Sequence, residues 1–334
     1  MKVLFIGGTG IISSACSQLA LARGMDLYLL NRGQSVRPVP VGANVLRGDI
    51  RDPDSRRTAL GDLAFDVVVD WVAYTPEHVE TDLELFHGRT RQYVFISSAS
   101  AYQTPPAALP VSESTVLDNP YWQYSRDKIA CEERLFRAYR EQRFPLTIVR
   151  PSHTYDRTML PMIGGYTVVD RMLRGRKVIV HGDGTSIWTL THHTDFAKGF
   201  VGLLGNPHAI GEAVQITSDE WLTWNQIFEI VAQAAGTEAR MVHVPSDLIA
   251  AFDREWGDNL LGDKAHSMIF DNTKIKRLVP DFLAVIPFSQ GAREILAWYN
   301  EDAARRRTDP RFDQLCDRIL DAYESAWPRD ARGR

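Results

Sequence analysis

The stretch Val3–Ser13, VLFIGGTGIIS, decides the fold. The apolar run Val3–Ile6 is stopped by Gly7 and Gly8, which reads as a buried parallel strand feeding a glycine turn. Residues 11–23 continue with Ile11, Ala15, Leu19 and Ala22 at helical spacing, and Gly24 is placed like a C-terminal cap. Strand, glycine turn and helix in that order make an anion site. Backbone N–H groups of the turn and of the first helical turn, Ile11 and Ile12 included, are positioned for a pyrophosphate. Gly7 permits the tight turn, and Gly10 lets phosphates approach the backbone. Ser13 stands at the third position of this Gly-x-x-Gly-x-x-Gly pattern, where glycine usually serves close helix–strand packing.

The same rhythm continues outward. DLYLL (26–30), VLRGD (45–49), FDVVVDWVA (65–73), QYVFISS (92–98) and PLTIVRPS (145–152) are strand candidates with charged helical stretches between them. Alternating strands and helices predict a parallel sheet covered on both faces, and right-handed crossovers make it a Rossmann-type, doubly wound α/β fold. After about residue 155 the rhythm weakens. KVIVHGDGTSIWTLTH looks like strand, turn, strand; 221–236 and 290–300 look helical; Phe312, Leu315, Cys316, Ile319, Leu320 and Tyr323 form one apolar stripe. Residues 1–155 are therefore expected to bind the cofactor, with strands or helices returning around 188–215. Residues 156–330 are expected to form mainly a smaller α+β substrate-binding lobe. The tail PRDARGR is expected to be disordered.

Bulk properties exclude several classes. The chain has 334 residues, is 44% hydrophobic and carries a net charge of −4, so a basic nucleic-acid footprint is not expected. Cys16, Cys131 and Cys316 are scattered without metal or redox spacing, which suits a reducing, cytoplasmic compartment and no metal. No run of about 18 apolar residues predicts a membrane span.

The residue ending the second strand sorts NAD from NADP, because an acid there binds the ribose hydroxyls. Here it is Asn31, followed by Arg32; a guanidinium beside a neutral side chain suits a 2′-phosphate, so the cofactor expectation is NAD(P), leaning to NADP. Asp49 and Ile50 are placed to meet the adenine, and Ala73 to lie near the nicotinamide ribose.

YWQYSRDK (121–128) holds Tyr124 and Lys128, at i and i+4 and so on one helix face. With 11 tyrosines and 7 lysines, roughly 0.2 such pairs arise by chance, so the pair alone is a weak signal. A phenol acting as a base near neutrality must be made more acidic by about 4 kcal/mol. An ammonium about 4 Å away, at an effective dielectric of about 20, supplies about that much. Tyr121 and Trp122 have no catalytic spacing and read as packing or substrate wall.

Gly7-x-x-Gly10, Ser98 and Tyr124-x-x-x-Lys128, in this order and spacing, resemble the extended short-chain dehydrogenase/reductases, also called NAD-dependent epimerase/dehydratases. RPSHTY (150–155), THHTDFAKGF and GEAVQITSDEWLTWNQI resemble further segments of that family. The resemblance implies that Ser98 orients the reacting oxygen, that Tyr124 moves a proton, and that Lys128 assists it and holds cofactor ribose. It places Pro151 at the cofactor, and Ser100, His153, Tyr155 and Trp188 at the substrate. It also implies a homodimer through helices around 76–90 and 120–141. Family dehydratases carry an Asp-Glu pair directly after the serine or threonine; Ser98-Ala99-Ser100 lacks it, which disfavours dehydration. Nucleotide-sugar members often grip the diphosphate with an arginine after a Gly-x-Gly hairpin. Here that region offers Trp188, leaving Arg157, Arg171, Arg174 and Arg176 as substitutes. The adjacent His192 and His193 are expected on opposite faces of a strand, structural or substrate-lining rather than chelating.

Three readings follow. The first is an NAD(P)-dependent oxidoreductase or epimerase acting on a sugar or nucleotide sugar. The second is an NADPH-dependent reductase of a non-sugar carbonyl. The third is a non-catalytic RNA-binding module, since Asn31-Arg32-Gly33 also resembles a plastid RNA-binding branch of the family; the net charge and the intact triad argue against it.

Overall fold

A computed structural model describes residues 1–327; the tail PRDARGR lies outside the described residues. The chain opens β1 (Lys2–Ile6), α1 (Ile11–Ala22), β2 (Asp26–Asn31), β3 (Asn44–Arg47), α2 (Pro53–Leu60), β4 (Phe65–Asp70), α3 (Pro76–Phe86) and β5 (Thr90–Ile96). It continues through α4 (Gln123–Gln142), β6 (Leu146–Pro151), β7 (His153–Tyr155), α5 (Tyr166–Leu173), β8 (Lys177–His181), β9 (Ile187–Trp188), β10 (Leu190–His192), α6 (His193–Leu203) and β11 (Glu212–Ile216). The remaining elements are β12 (Leu222–Thr223), α7 (Trp224–Ala234), β13 (Arg240–Val244), α8 (Ser246–Phe252), α9 (Arg254–Asn259), α10 (Thr273–Leu278), α11 (Phe288–Glu301) and α12 (Pro310–Ser325).

Seven parallel strands in the order β11-β6-β5-β4-β1-β2-β3 form the central sheet. Strand alternation splits its apolar residues between two cores. Val3, Phe5, Leu27, Leu29, Val67 and Val69 face Cys16 and Ala20 of α1 and Phe196 and Phe200 of α6. Leu4, Ile6, Leu30, Val68, Phe95 and Ile148 face Val79 and Leu83 of α3 and Cys131 and Leu135 of α4. The strand order reverses between β1 and β4, so a crevice opens at their C-terminal ends.

The second lobe is built on β8 and β13, a parallel pair. Val178 and Val180 face a core with α5, α7 and α11; Ile179 faces another with α8, α9 and α12. The strand, turn and strand expected around Gly182–Gly184 are present as β8, a turn, then β9 and β10, but these strands pair elsewhere and not with each other. β8 is taken by β13, β9 pairs antiparallel with β12, and β10 pairs parallel with β7. The physical reason lies in Gly184, which abuts Asn225 and accepts its backbone N–H at 2.9 Å, so the turn docks on α7 instead of folding back.

Helix α4 is pinned to the sheet by a buried ion pair. Arg150 of β6 donates to Glu132 of α4 from Nε at 2.9 Å and from Nη2 at 2.5 Å. Both side chains are buried, and the guanidinium also lies over the Tyr102 ring, 4.8 Å from its centroid. Removing one member of such a pair strands the other charge. Glu132→Gln is expected to destabilise the chain by about 3–5 kcal/mol, read as a lower urea midpoint at unchanged slope.

Candidate active site

The glycine loop turns on two residues in the left-handed half of backbone space, Gly7 (φ +99°) and Gly8 (φ +94°). A Cβ on Gly8 would also lie 2.7 Å from Leu29, so this position needs glycine for two reasons. Gly10 has ordinary φ and is the N-cap of α1. Its N–H donates to the Ser13 hydroxyl at 2.8 Å, which explains the departure at the third glycine position: a buried serine caps the helix from within. The first-turn amides of Ile11 and Ile12 remain available to a phosphate, as helix geometry requires.

At the end of β2, Asn31 accepts the Gly33 N–H at 3.0 Å, while its buried side-chain nitrogen has no partner. Arg32 is exposed and only loosely paired, 3.8 Å from Asp49. Arg47 is a residue that the sequence reading missed. It lies opposite Asn31 in the β2–β3 register, and its guanidinium covers Gly33, where any side chain would collide with it. Two guanidiniums and an orphaned amide donor thus surround the place where an adenosine ribose would end, and they fit a 2′-phosphate. The Ile50 side chain corrects the expectation that it meets the adenine: it is packed in the core with Leu30 and Leu60.

Ser98, Tyr124 and Lys128 come together at the C-terminal edge of β4 and β5. Lys128 is buried, and its ammonium donates to the carbonyls of Ala73 and Ile96, each at 2.7 Å. Burial pulls it down to about 8. Burial likewise pushes the Tyr124 phenol up to about 12, opposed by a hydrogen bond with Ser98. This corrects the electrostatic expectation. Lys128 lies 5.8 Å from the Tyr124 ring centroid, with its charge directed at two carbonyls, and the protein's own groups hold Tyr124 in its acid form.

Ser100, expected at the substrate, has its hydroxyl engaged within the protein. It is buried, 2.9 Å from the Ser98 hydroxyl, and accepts from Ser125 of α4 at 2.8 Å. This chain of hydroxyls couples Ser98 to the helix that carries Tyr124. Tyr155 is also corrected: its ring is fully buried against Phe288 and His192, inside the core and away from the cleft. Trp188 is buried too, and its indole N–H donates to His153 Nδ1 at 3.1 Å. Burial, with the nearby charge of Lys264, lowers His153 to about 3, so it stays a neutral hydrogen-bonding group. Pro151 ends β6, opposite Ile216. His192 and His193 do not separate to opposite faces, because His192 is the N-cap of α6; their rings meet edge to face at 4.8 Å.

Three of the four substitute arginines are engaged, while Arg157 is exposed on the loop after β7. Arg171 binds Asp313 and Asp317 of α12, Arg176 binds the same two acids, and Arg174 binds Asp170 and Asp313. Closer to Tyr124 the second lobe contributes a pair that the sequence reading also missed, Asp263 and Lys264, on a π-helical turn at Leu260–Lys264. Two adjacent charges with no periodicity gave no signal in the sequence.

A doubly wound sheet, a glycine-loop anion site and a serine–tyrosine–lysine cluster at the crevice together define an enzyme of the short-chain dehydrogenase/reductase type. Residues 3–217 match the NAD dependent epimerase/dehydratase family, and the chain belongs to it. It is 26% identical over 287 residues to 2′-dehydrokanamycin reductase of Streptomyces kanamyceticus, covering 84% of this chain and 80% of that one. It is 28% identical over 261 residues to chloroplast stem-loop binding protein of 41 kDa b of Arabidopsis thaliana, covering 72% of this chain and 65% of that one. Among solved structures, UDP-glucuronic acid 4-epimerase of Bacillus cereus in complex with NAD superposes with a TM-score of 0.71 at 20% identity, over 91% of this chain and 100% of that one.

The buried ammonium has a measurable signature. In an NMR titration of Cε-labelled lysine, one resonance is expected to lose its proton near pH 8 and to vanish in Lys128→Met. A Lys128 signal that titrates with the exposed lysines would contradict this geometry.

Proposed function

We propose that the chain is an NADP(H)-dependent oxidoreductase that reduces a ketone on a sugar-like ring carrying no nucleotide diphosphate. The observation that carries this reading is the engagement of Arg171, Arg174 and Arg176 by acids of the lobe itself, which leaves those three without a free fork for a diphosphate. The likeness to a reductase of a dehydro-aminoglycoside over 84% of the chain supports the same direction. Residues 1–155 hold the cofactor and 156–330 mainly the substrate.

The bound nicotinamide supplies the hydride at its C4. Ser98 donates a hydrogen bond to the carbonyl oxygen and orients it. Tyr124 gives that oxygen its proton as the carbonyl carbon gains hydride, leaving an alcohol and a phenolate that recovers a proton from water. A phenol held at about 12 is poised to be the acid. Lys128, ionised below about 8, favours the phenolate that results and holds the ribose hydroxyls. Asn31, Arg32 and Arg47 hold the 2′-phosphate.

The three cysteines are buried and free, which suits a cytoplasmic home, and no described helix is long and apolar enough to cross a membrane. α3 and α4, linked on their surface by Arg134 and Glu80, are the faces for a homodimer. A net charge of −4 gives the RNA-binding alternative no electrostatic footprint.

Two measurements test the reading. By nicotinamide fluorescence, NADPH is expected to bind at least about tenfold more tightly than NADH, and Arg32→Ala or Arg47→Ala to shrink that ratio. Tightly retained NAD(H) would instead mark an internal redox cycle and an epimerase. Tyr124→Phe is expected to lower turnover of a ring ketone by about 10²–10⁴-fold while leaving NADPH affinity unchanged.

A further inference from the structure

The π-helical turn Leu260–Lys264 is fixed against the loop before α4. Gly262 is what allows the approach: a Cβ there would lie 2.9 Å from Trp122 Cβ and 3.1 Å from Asn119. Asn119 seals it, donating to the Gly262 carbonyl at 2.6 Å and to the Ser100 carbonyl at 2.9 Å. On the other side the Lys264 carbonyl accepts the Trp224 indole N–H at 3.1 Å and lies 2.9 Å from His181 Nε2. Single-turn π segments recur at functional sites, and this one is held from both flanks.

It presents two charged side chains. The Lys264 ammonium is 3.3 Å from Asp263 and lies 5.8 and 5.6 Å from the ring centroids of Trp122 and Trp188. The Trp122 ring is in turn 4.9 Å from the Tyr124 ring. The pair is therefore one aromatic ring away from the expected proton donor. The cavity that Lys264 lines with His181, Trp224 and Trp256 measures only ≈ 30 Å³, room for about one water, so the partner for these charges is not on that side.

We propose that Asp263 and Lys264, beside Trp122, form the ring-recognition subsite of the active site and select a saturated ring with free neighbouring hydroxyls, such as a pyranoside or cyclitol. The inference rests on the reading of the protein as a reductase of a nucleotide-free ring and names what that ring must carry. The two charges decide the class. A carboxylate accepts from one hydroxyl while the adjacent ammonium donates to the next, so a vicinal diol satisfies both. An anionic group on Lys264 would face Asp263, and a cationic group on Asp263 would face Lys264; a neutral polyol meets neither conflict. Trp122 supplies an apolar face for the ring's C–H side, as small-ligand sites commonly do with an aromatic wall and a few fixed polar groups.

The test uses the full chain loaded with whichever nicotinamide cofactor binds more tightly, and saturation-transfer NMR with methyl β-D-glucopyranoside, myo-inositol and UDP as probes. Transfer to ring protons of a polyol is expected, with Lys264→Met and Asp263→Asn each weakening its affinity at least about fivefold. Cofactor affinity should stay unchanged in both variants, which shows that they fold; the backbone carbonyl that Trp224 binds is kept in either. Wild-type protein that shows no transfer to either polyol overturns the inference, as do variants that bind like wild type. UDP is the control on the underlying reading: tight UDP binding sinks the nucleotide-free reading, while the subsite still stands or falls on the polyol data.

Discussion

One buried ammonium sets the geometry at the crevice. Lys128 reaches from α4 to the carbonyls of Ala73, after β4, and Ile96, at the end of β5. A charge with so little water must be repaid by fixed acceptors, and these two lie on adjacent strands. The contact therefore holds α4 against the sheet edge and fixes how Tyr124, one turn earlier, meets Ser98. The Ser98–Ser100–Ser125 hydroxyl chain braces the same helix near its N-terminus, and the Arg150–Glu132 pair braces it at its middle. Below them a further buried set, Arg51 with Asp70 and Asp82, supports the strand end that supplies Ala73; Asp70 also accepts the Val72 N–H at 2.6 Å. The polar interior is thus concentrated where three elements must meet at fixed distances.

The substrate lobe spends its cations differently. Its arginines around α5 neutralise α12, packing that helix as the outer wall, and are not free to define the ligand. What reaches the crevice is a closely balanced acid and base pair. At the other end of the crevice Arg32 and Arg47 lie near the end of β2 without a close acid partner among the described residues, Asp49 being 3.8 Å from Arg32.

Legibility in the sequence follows the range of the interactions. The strand–glycine–helix opening, the strand candidates and the final apolar stripe are local patterns, and each becomes an element. Ser98, Tyr124 and Lys128 lie together at the sheet edge, as a helix period and a strand end in the sequence place them. The side chains of Ser100, Tyr155 and Ile50 are buried, which a sequence pattern could not show, because residues beside a crevice alternate between cleft and core and only packing says which. The strand–turn–strand at Gly182–Gly184 was legible, but its pairing was not, because the partner of β8 is β13, some 60 residues later. Arg47 was hidden because its role depends on lateral strand register, and Asp263 with Lys264 because a π-turn has no sequence period.

The protonation of Tyr124 connects the two lobes. Burial, the largest influence, keeps the proton on the phenol; the Ser98 hydrogen bond works the other way and favours the anion, while Asp263, on the π-helical turn, adds to the opposition. A ligand hydroxyl that donates to Asp263 spreads that carboxylate's charge and weakens its opposition. Occupying the ring subsite would therefore ease the release of the Tyr124 proton at the moment the substrate is in place. The proposed ring subsite and the phenol would then be coupled through Asp263, which lies on the π-helical turn at Leu260–Lys264.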